Sequence, residues 1–141
     1  MSNMSNDNSN QPVLLRSRES QNMYILNMGD RNTFMQLLEA NNGILIFKFT
    51  AKWCGPCKII KPLTIQMANQ LRTDTILIEV DVDDCFDLYS FLKQKKMVNG
   101  IPVFLCYKKG NTTFAPDDSI TGANIPDLNL FFERCSKMVL Q

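Results

Sequence analysis

Apolar and polar positions alternate between two periods along this chain, and the changes of period predict its elements. Residues 1–21 are rich in Asn, Ser and Gln with few side chains able to pack, which reads as a mobile tail ahead of a folded unit spanning 22–141. Met23-Tyr24-Ile25-Leu26 predicts a short strand. Asp30 is placed to cap a helix with Phe34, Leu37 and Leu38 on one face, and Asn41-Asn42-Gly43 stops it. Residues 44–49 form an apolar run of β-branched and aromatic residues broken only by Lys48, the mark of a strand covered on both faces. Ile60, Leu63, Met67 and Leu71 then recur at helical spacing, with a kink expected at Pro62.

A second covered strand is expected at 75–80. Asp83 or Asp84 could cap the helix bearing Leu88, Phe91 and Leu92, and Asn99-Gly100 ends it. Ile101-Pro102 leads into a strand at 103–107, and Lys108-Lys109-Gly110-Asn111 turns the chain toward a weaker strand at 112–115. A last helix begins near Asn124, carries Pro126 in its first turn, and buries Leu128, Phe131, Phe132, Cys135 and Val139. The order β-α-β-α-β-α-β-β-α implies an α/β fold. Its central mixed sheet has about five strands and about four flanking helices, parallel in its first part and antiparallel at the hairpin.

Composition narrows the classes. The 141 residues fit one domain, and a net charge of +1 gives no electrostatic case for nucleic acid or an acidic membrane. The basic run Lys93-Gln94-Lys95-Lys96 reads as the solvated end of a helix. No apolar stretch approaches the roughly 20 residues that span a bilayer, and the start of the chain lacks the pattern of a secretory signal. A cytoplasmic, monomeric protein is expected, in which the Asn-x-Ser/Thr matches at Asn3 and Asn111 are chance. Five cysteines cannot all pair within one chain, so at least one thiol is free.

Chemistry concentrates at Cys54-Gly55-Pro56-Cys57, a Cys-x-x-Cys pair on a strand-to-helix junction. The first cysteine there faces unpaired amide N–H groups and the positive end of the helix dipole, which favours its thiolate. A cysteine three positions on reaches back to close a ring. Pro56 fixes one backbone angle within that ring, Gly55 leaves the nucleophile uncrowded, and Trp53 offers a flat apolar surface for a substrate chain. Cys106 and Cys135 read as small buried hydrophobes. Cys85 is more ambiguous: the helix dipole lowers its pKa while Asp83 and Asp84 raise it, leaving room for a regulatory disulfide. A zinc or iron–sulfur centre is set aside, because the chain has no histidine and no second close cysteine pair.

Trp53-Cys54-Gly55-Pro56-Cys57-Lys58 resembles the active-site signature of the thioredoxin family. Phe49, Ala51, Pro62, Asp83, Gly100-Ile101-Pro102, Gly110 and Gly122 extend the resemblance over roughly residues 23–140. It implies that Cys54 attacks, that Cys57 resolves, and that the Ile101–Pro102 bond is cis beside the dithiol where substrate docks. It implies no cofactor, with disulfide-containing proteins as substrates and a separate thioredoxin-reductase-like electron donor. One position departs: where the family carries a buried aspartate in the strand before the motif, this chain has Lys48, and the matching position on the neighbouring strand is Glu79. The charges read as exchanged, with Glu79 as candidate proton acceptor for Cys57 and Lys48 as a tuner of its potential. The alternatives are a thiol oxidase or isomerase with a more oxidising dithiol, and a thioredoxin-fold binding module whose cysteines are incidental.

Overall fold

The computed structural model describes residues 14–138. Its elements in chain order are β1 (Leu14–Arg16), β2 (Met23–Leu26), α1 (Arg31–Glu39), β3 (Ile44–Thr50), α2 (Gly55–Asn69), β4 (Thr75–Asp81), α3 (Phe86–Gln94), β5 (Val103–Lys108), β6 (Asp118–Thr121) and α4 (Ile125–Ser136). Six strands form one mixed sheet in the order β1-β2-β4-β3-β5-β6. The pairs β2/β4 and β3/β4 are parallel, whereas β1/β2, β3/β5 and β5/β6 are antiparallel. Among the described residues no helix is long and apolar enough to cross a membrane.

Strand alternation decides which helix covers which face. Leu45, Phe47 and Phe49 of β3 pack with Phe34 and Leu38 of α1 and Leu88 and Leu92 of α3. Ile44 and Ile46 turn the other way, toward Ile60 and Ala68 of α2 and Leu128, Phe131 and Phe132 of α4. Lys48 continues this second row. The single lysine that breaks the apolar run therefore points to the face covered by α2, the helix that begins at the cysteine pair.

Three expectations are revised. The sheet has a sixth strand: Leu14–Arg16, inside the stretch read as tail, pairs with β2, and Ser17 and Ser20 beyond it are buried. Residues 1–13, and Val139 at the far end, lie outside the described residues. The weaker strand starts at Asp118, because Asn111 folds 112–115 into a turn by accepting from the Thr113 N–H at 3.0 Å and donating to the Ala115 carbonyl at 2.9 Å. The bend before α3 is organised by neither Asp83 nor Asp84; the Asp81 carboxylate accepts from both their N–H groups, at 2.8 and 3.2 Å. Asp30 and Asn124 do cap α1 and α4, and α2 runs through Pro62 as one helix.

Candidate active site

Cys54 is the N-cap of α2, extended at φ −85° and ψ 107°, with Gly55 and Pro56 opening the helix. Pro56 is tolerated because first-turn N–H groups have no intrahelical acceptor. The Cys57 N–H points at Cys54 Sγ, 3.3 Å away, so sulfur occupies the place where a serine or aspartate oxygen caps other helices. Cys54 and Cys57 are bonded to each other across a Cα–Cα distance of 5.3 Å, and both are nearly covered. A Cβ added at Gly55 would meet nothing within 4 Å, so the surface beside the pair is open at that residue.

Trp53 stands out from the surface, 67% exposed, with its indole N–H donating to Asp83 Oδ2 at 2.9 Å. The Ile101–Pro102 bond is cis, and register brings it to the dithiol: Val103 pairs with Phe49 at the end of β3 from which the Cys54 loop departs. Two contacts that sequence reasoning missed hold this loop. The Tyr89 hydroxyl donates to the Gly100 carbonyl at 3.0 Å and accepts from its N–H at 3.1 Å, and the Gly122 N–H donates to the Pro102 carbonyl at 2.8 Å. Gly100, at φ +88°, takes a backbone conformation that a side chain disfavours. Tyr89 carries no motif, so only its helical position opposite an Asn-Gly turn could have suggested the contact.

Lys48 and Glu79 face each other across β3 and β4 in register, with Nζ 3.4 Å from Glu79 Oε2. The Lys48 side chain is 1% exposed and that of Glu79 14%. Burial pushes the Lys48 ammonium below the ordinary lysine range, while the Glu79 carboxylate opposes the shift. Both side chains line a cleft of about 470 Å³ together with Cys57, Ala51, Lys61 and Asp81. The site thus gathers a helix-capping dithiol, a cis-proline loop, an exposed indole and a buried ion pair. Among the described residues no cluster of three or more His, Cys, Asp or Glu is arranged to hold a metal.

A disulfide-bonded Cys-x-x-Cys capping a helix of an α/β sheet, with a cis-proline just ahead of the neighbouring strand, is the arrangement of a thiol–disulfide oxidoreductase. Residues 26–130 match the Thioredoxin family model. Rabbit (Oryctolagus cuniculus) thioredoxin is 37% identical over 81 residues, which is 57% of this chain and 72% of that protein. Horse (Equus caballus) thioredoxin is 35% identical over 95 residues, 67% of this chain and 82% of that protein. The solved structure of Plasmodium falciparum thioredoxin superimposes with a TM-score of 0.61 at 30% identity, covering 78% of this chain and 96% of the other. The fold is shared also with a Nicotiana alata thioredoxin, with a TM-score of 0.65 at 24% identity over 86% and 98% of the two chains. This chain belongs to the thioredoxin family.

Proposed function

We propose that the protein reduces disulfides of other proteins through Cys54 and Cys57. The observation that carries this reading is the capped, bonded pair, with a partner N–H directed at Cys54 Sγ. In the reduced protein, the Cys54 thiolate attacks one sulfur of a target disulfide, forming a mixed disulfide and expelling a target thiolate that takes up a proton. Cys57, deprotonated, attacks Cys54 Sγ and expels the second target thiolate. Two electrons pass to the target, the Cys54–Cys57 bond forms, and a separate dithiol donor of the thioredoxin-reductase kind restores the pair. Trp53, Ile101 and Pro102 form the platform for the target backbone.

Glu79 receives the Cys57 proton, directly or through water in the shared cleft, which is the reading its place beside Cys57 supports. The reductive direction is favoured over the oxidising one because the Lys48 charge is answered by Glu79, leaving little net positive charge to stabilise thiolate. Three cysteines carried as buried thiols fit a reducing, cytoplasmic setting, which cell fractionation tests. The central experiment is Cys57→Ser with disulfide-bearing protein targets. Covalent adducts on Cys54 are expected, together with steady reduction of a model protein disulfide by the wild type; absence of both overturns the reading.

A further inference from the structure

Three of the four most exposed large apolar side chains among the described residues gather at one end of the sheet. Met28, Ile59, Phe86 and Trp53 are 76, 74, 68 and 67% exposed, and among the described residues no other large apolar side chain exceeds 54%. Strand order explains this grouping of Met28, Phe86 and Trp53. The adjacent parallel strands β2, β4 and β3 end on the same edge of the sheet, and antiparallel β5 begins there. Met28 follows β2, Phe86 opens the helix after β4, Trp53 follows β3, and Ile101–Pro102 precedes β5. The row spans three strand spacings, about 14 Å, the reach of roughly four extended residues.

The Met28 end of the row is fixed as firmly as the Trp53 end. Arg31 grips the Asp87 carboxylate through Nε at 3.1 Å and Nη2 at 2.8 Å, and its backbone N–H adds a third bond at 3.0 Å. Cys85 Sγ lies 3.9 Å from the Leu26 carbonyl. These contacts join the loop after β2 to the start of α3. Met28 itself sits at φ +51°, a left-handed conformation costly for a long side chain, in order to stand clear of the surface. Bare apolar side chains cost solubility and contribute nothing to the core, so a rigidly supported row continuous with the dithiol indicates contact with another molecule.

We propose that Phe86 and Met28 extend the docking surface for a protein disulfide beyond the Trp53 platform. They would take apolar side chains of an extended partner segment, while Asp84, exposed two residues before Phe86 and lining the cleft next to Cys57, faces a lysine or arginine of the same segment. This inference rests on the reductase reading and adds a substrate class to it: disulfides flanked by apolar and basic residues.

The test uses the pre-reduced full-length chain in single-turnover reactions with three oxidants. These are a synthetic peptide disulfide flanked by Leu, Phe and Lys, the same peptide with Ser and Glu flanks, and cystine. The apolar, basic peptide is expected to react about tenfold faster than the polar, acidic one, as suits one well-filled aromatic contact. Phe86→Ser erases most of that ratio, Phe86→Leu keeps most of it, and Met28→Ser lowers it about threefold. Cystine reacts at wild-type rate throughout. A ratio untouched by Phe86→Ser and Met28→Ser, or a fall shared equally by cystine, overturns the proposal. A wild type that reduces all three oxidants without preference also overturns it and leaves the reductase reading standing; a wild type that reduces none removes both.

Discussion

Two cysteine pairs in this molecule meet opposite fates. Cys54 and Cys57 sit at the mouth of a helix, where the Cys57 N–H faces Cys54 Sγ and a buried ion pair shares the cleft with Cys57. Cys106 on β5 and Cys135 on α4 are fully buried in a cluster with Phe104, Phe131 and Phe132. A hydrogen bond with Cys135 and the loss of water hold the Cys106 thiol far above its ordinary range, and Cys106 Sγ rests 3.7 Å from Met138 Sδ. Proximity of thiols is common to both pairs. What separates them is place: one pair opens a helix next to the exposed Trp53, whereas the other is sealed among aromatic rings, and exchange chemistry depends on access to sulfur.

The contrast breaks or sharpens under substitution. The largest expected effect is on Cys54→Ser, which should lower turnover of a protein disulfide by on the order of 10³ or more in an insulin-reduction assay, since the nucleophile is lost. Next is Glu79→Gln, which leaves the buried Lys48 ammonium without a counter-charge. A loss of about 2 to 3 kcal/mol in urea unfolding is expected, with a displaced pH–rate profile; superimposable profiles would remove Glu79 from proton transfer.

Lys48 supplies a third test through pH. Its folded-state pKa lies below the unfolded value of 10.5, so between the two the unfolded chain binds more protons. Stability of the wild type, compared with Lys48→Met, should therefore rise as pH climbs through that window. Urea midpoints collected across alkaline pH measure the difference; a falling or flat difference contradicts it. Tyr89→Phe, which strips the hydroxyl from Gly100, should cost about 1 kcal/mol and raise KM more than it lowers kcat. Smallest is Cys106→Ala, expected to leave reductase turnover within about twofold of wild type while lowering stability by about 1 kcal/mol. A collapse of activity there would mean that the inner pair takes part in the chemistry.

How much of this was legible in the residues depended on whether the signal was local. The covered strands announced themselves by nearly continuous apolar runs, and the α1 cap at Asp30 by a polar side chain at the right offset. The Cys54 junction followed from a strand pattern meeting a helix pattern. Leu14–Arg16 was missed because three residues carry too little periodicity to stand against a polar neighbourhood; its evidence is pairing with β2, a partner eight and more residues away. Residues 112–115 misled because Thr-Thr-Phe-Ala has β character, while Asn111 bonds locally and the Tyr107 hydroxyl claims the Phe114 carbonyl at 2.7 Å. The facing of Lys48 by Glu79 followed from a resemblance and became a distance only through strand register.

Gly55 carries a cost that the fold does not require. A methyl group there would touch no atom of this chain, and alanine is the better helix former by up to about 1 kcal/mol. The open space over Gly55 is room that the proposed function gives a use: it leaves a disulfide-bearing partner free to come down onto Cys54. A chain optimised for its own stability alone would fill that space, and the proposed reductase role gives a reason to leave it open.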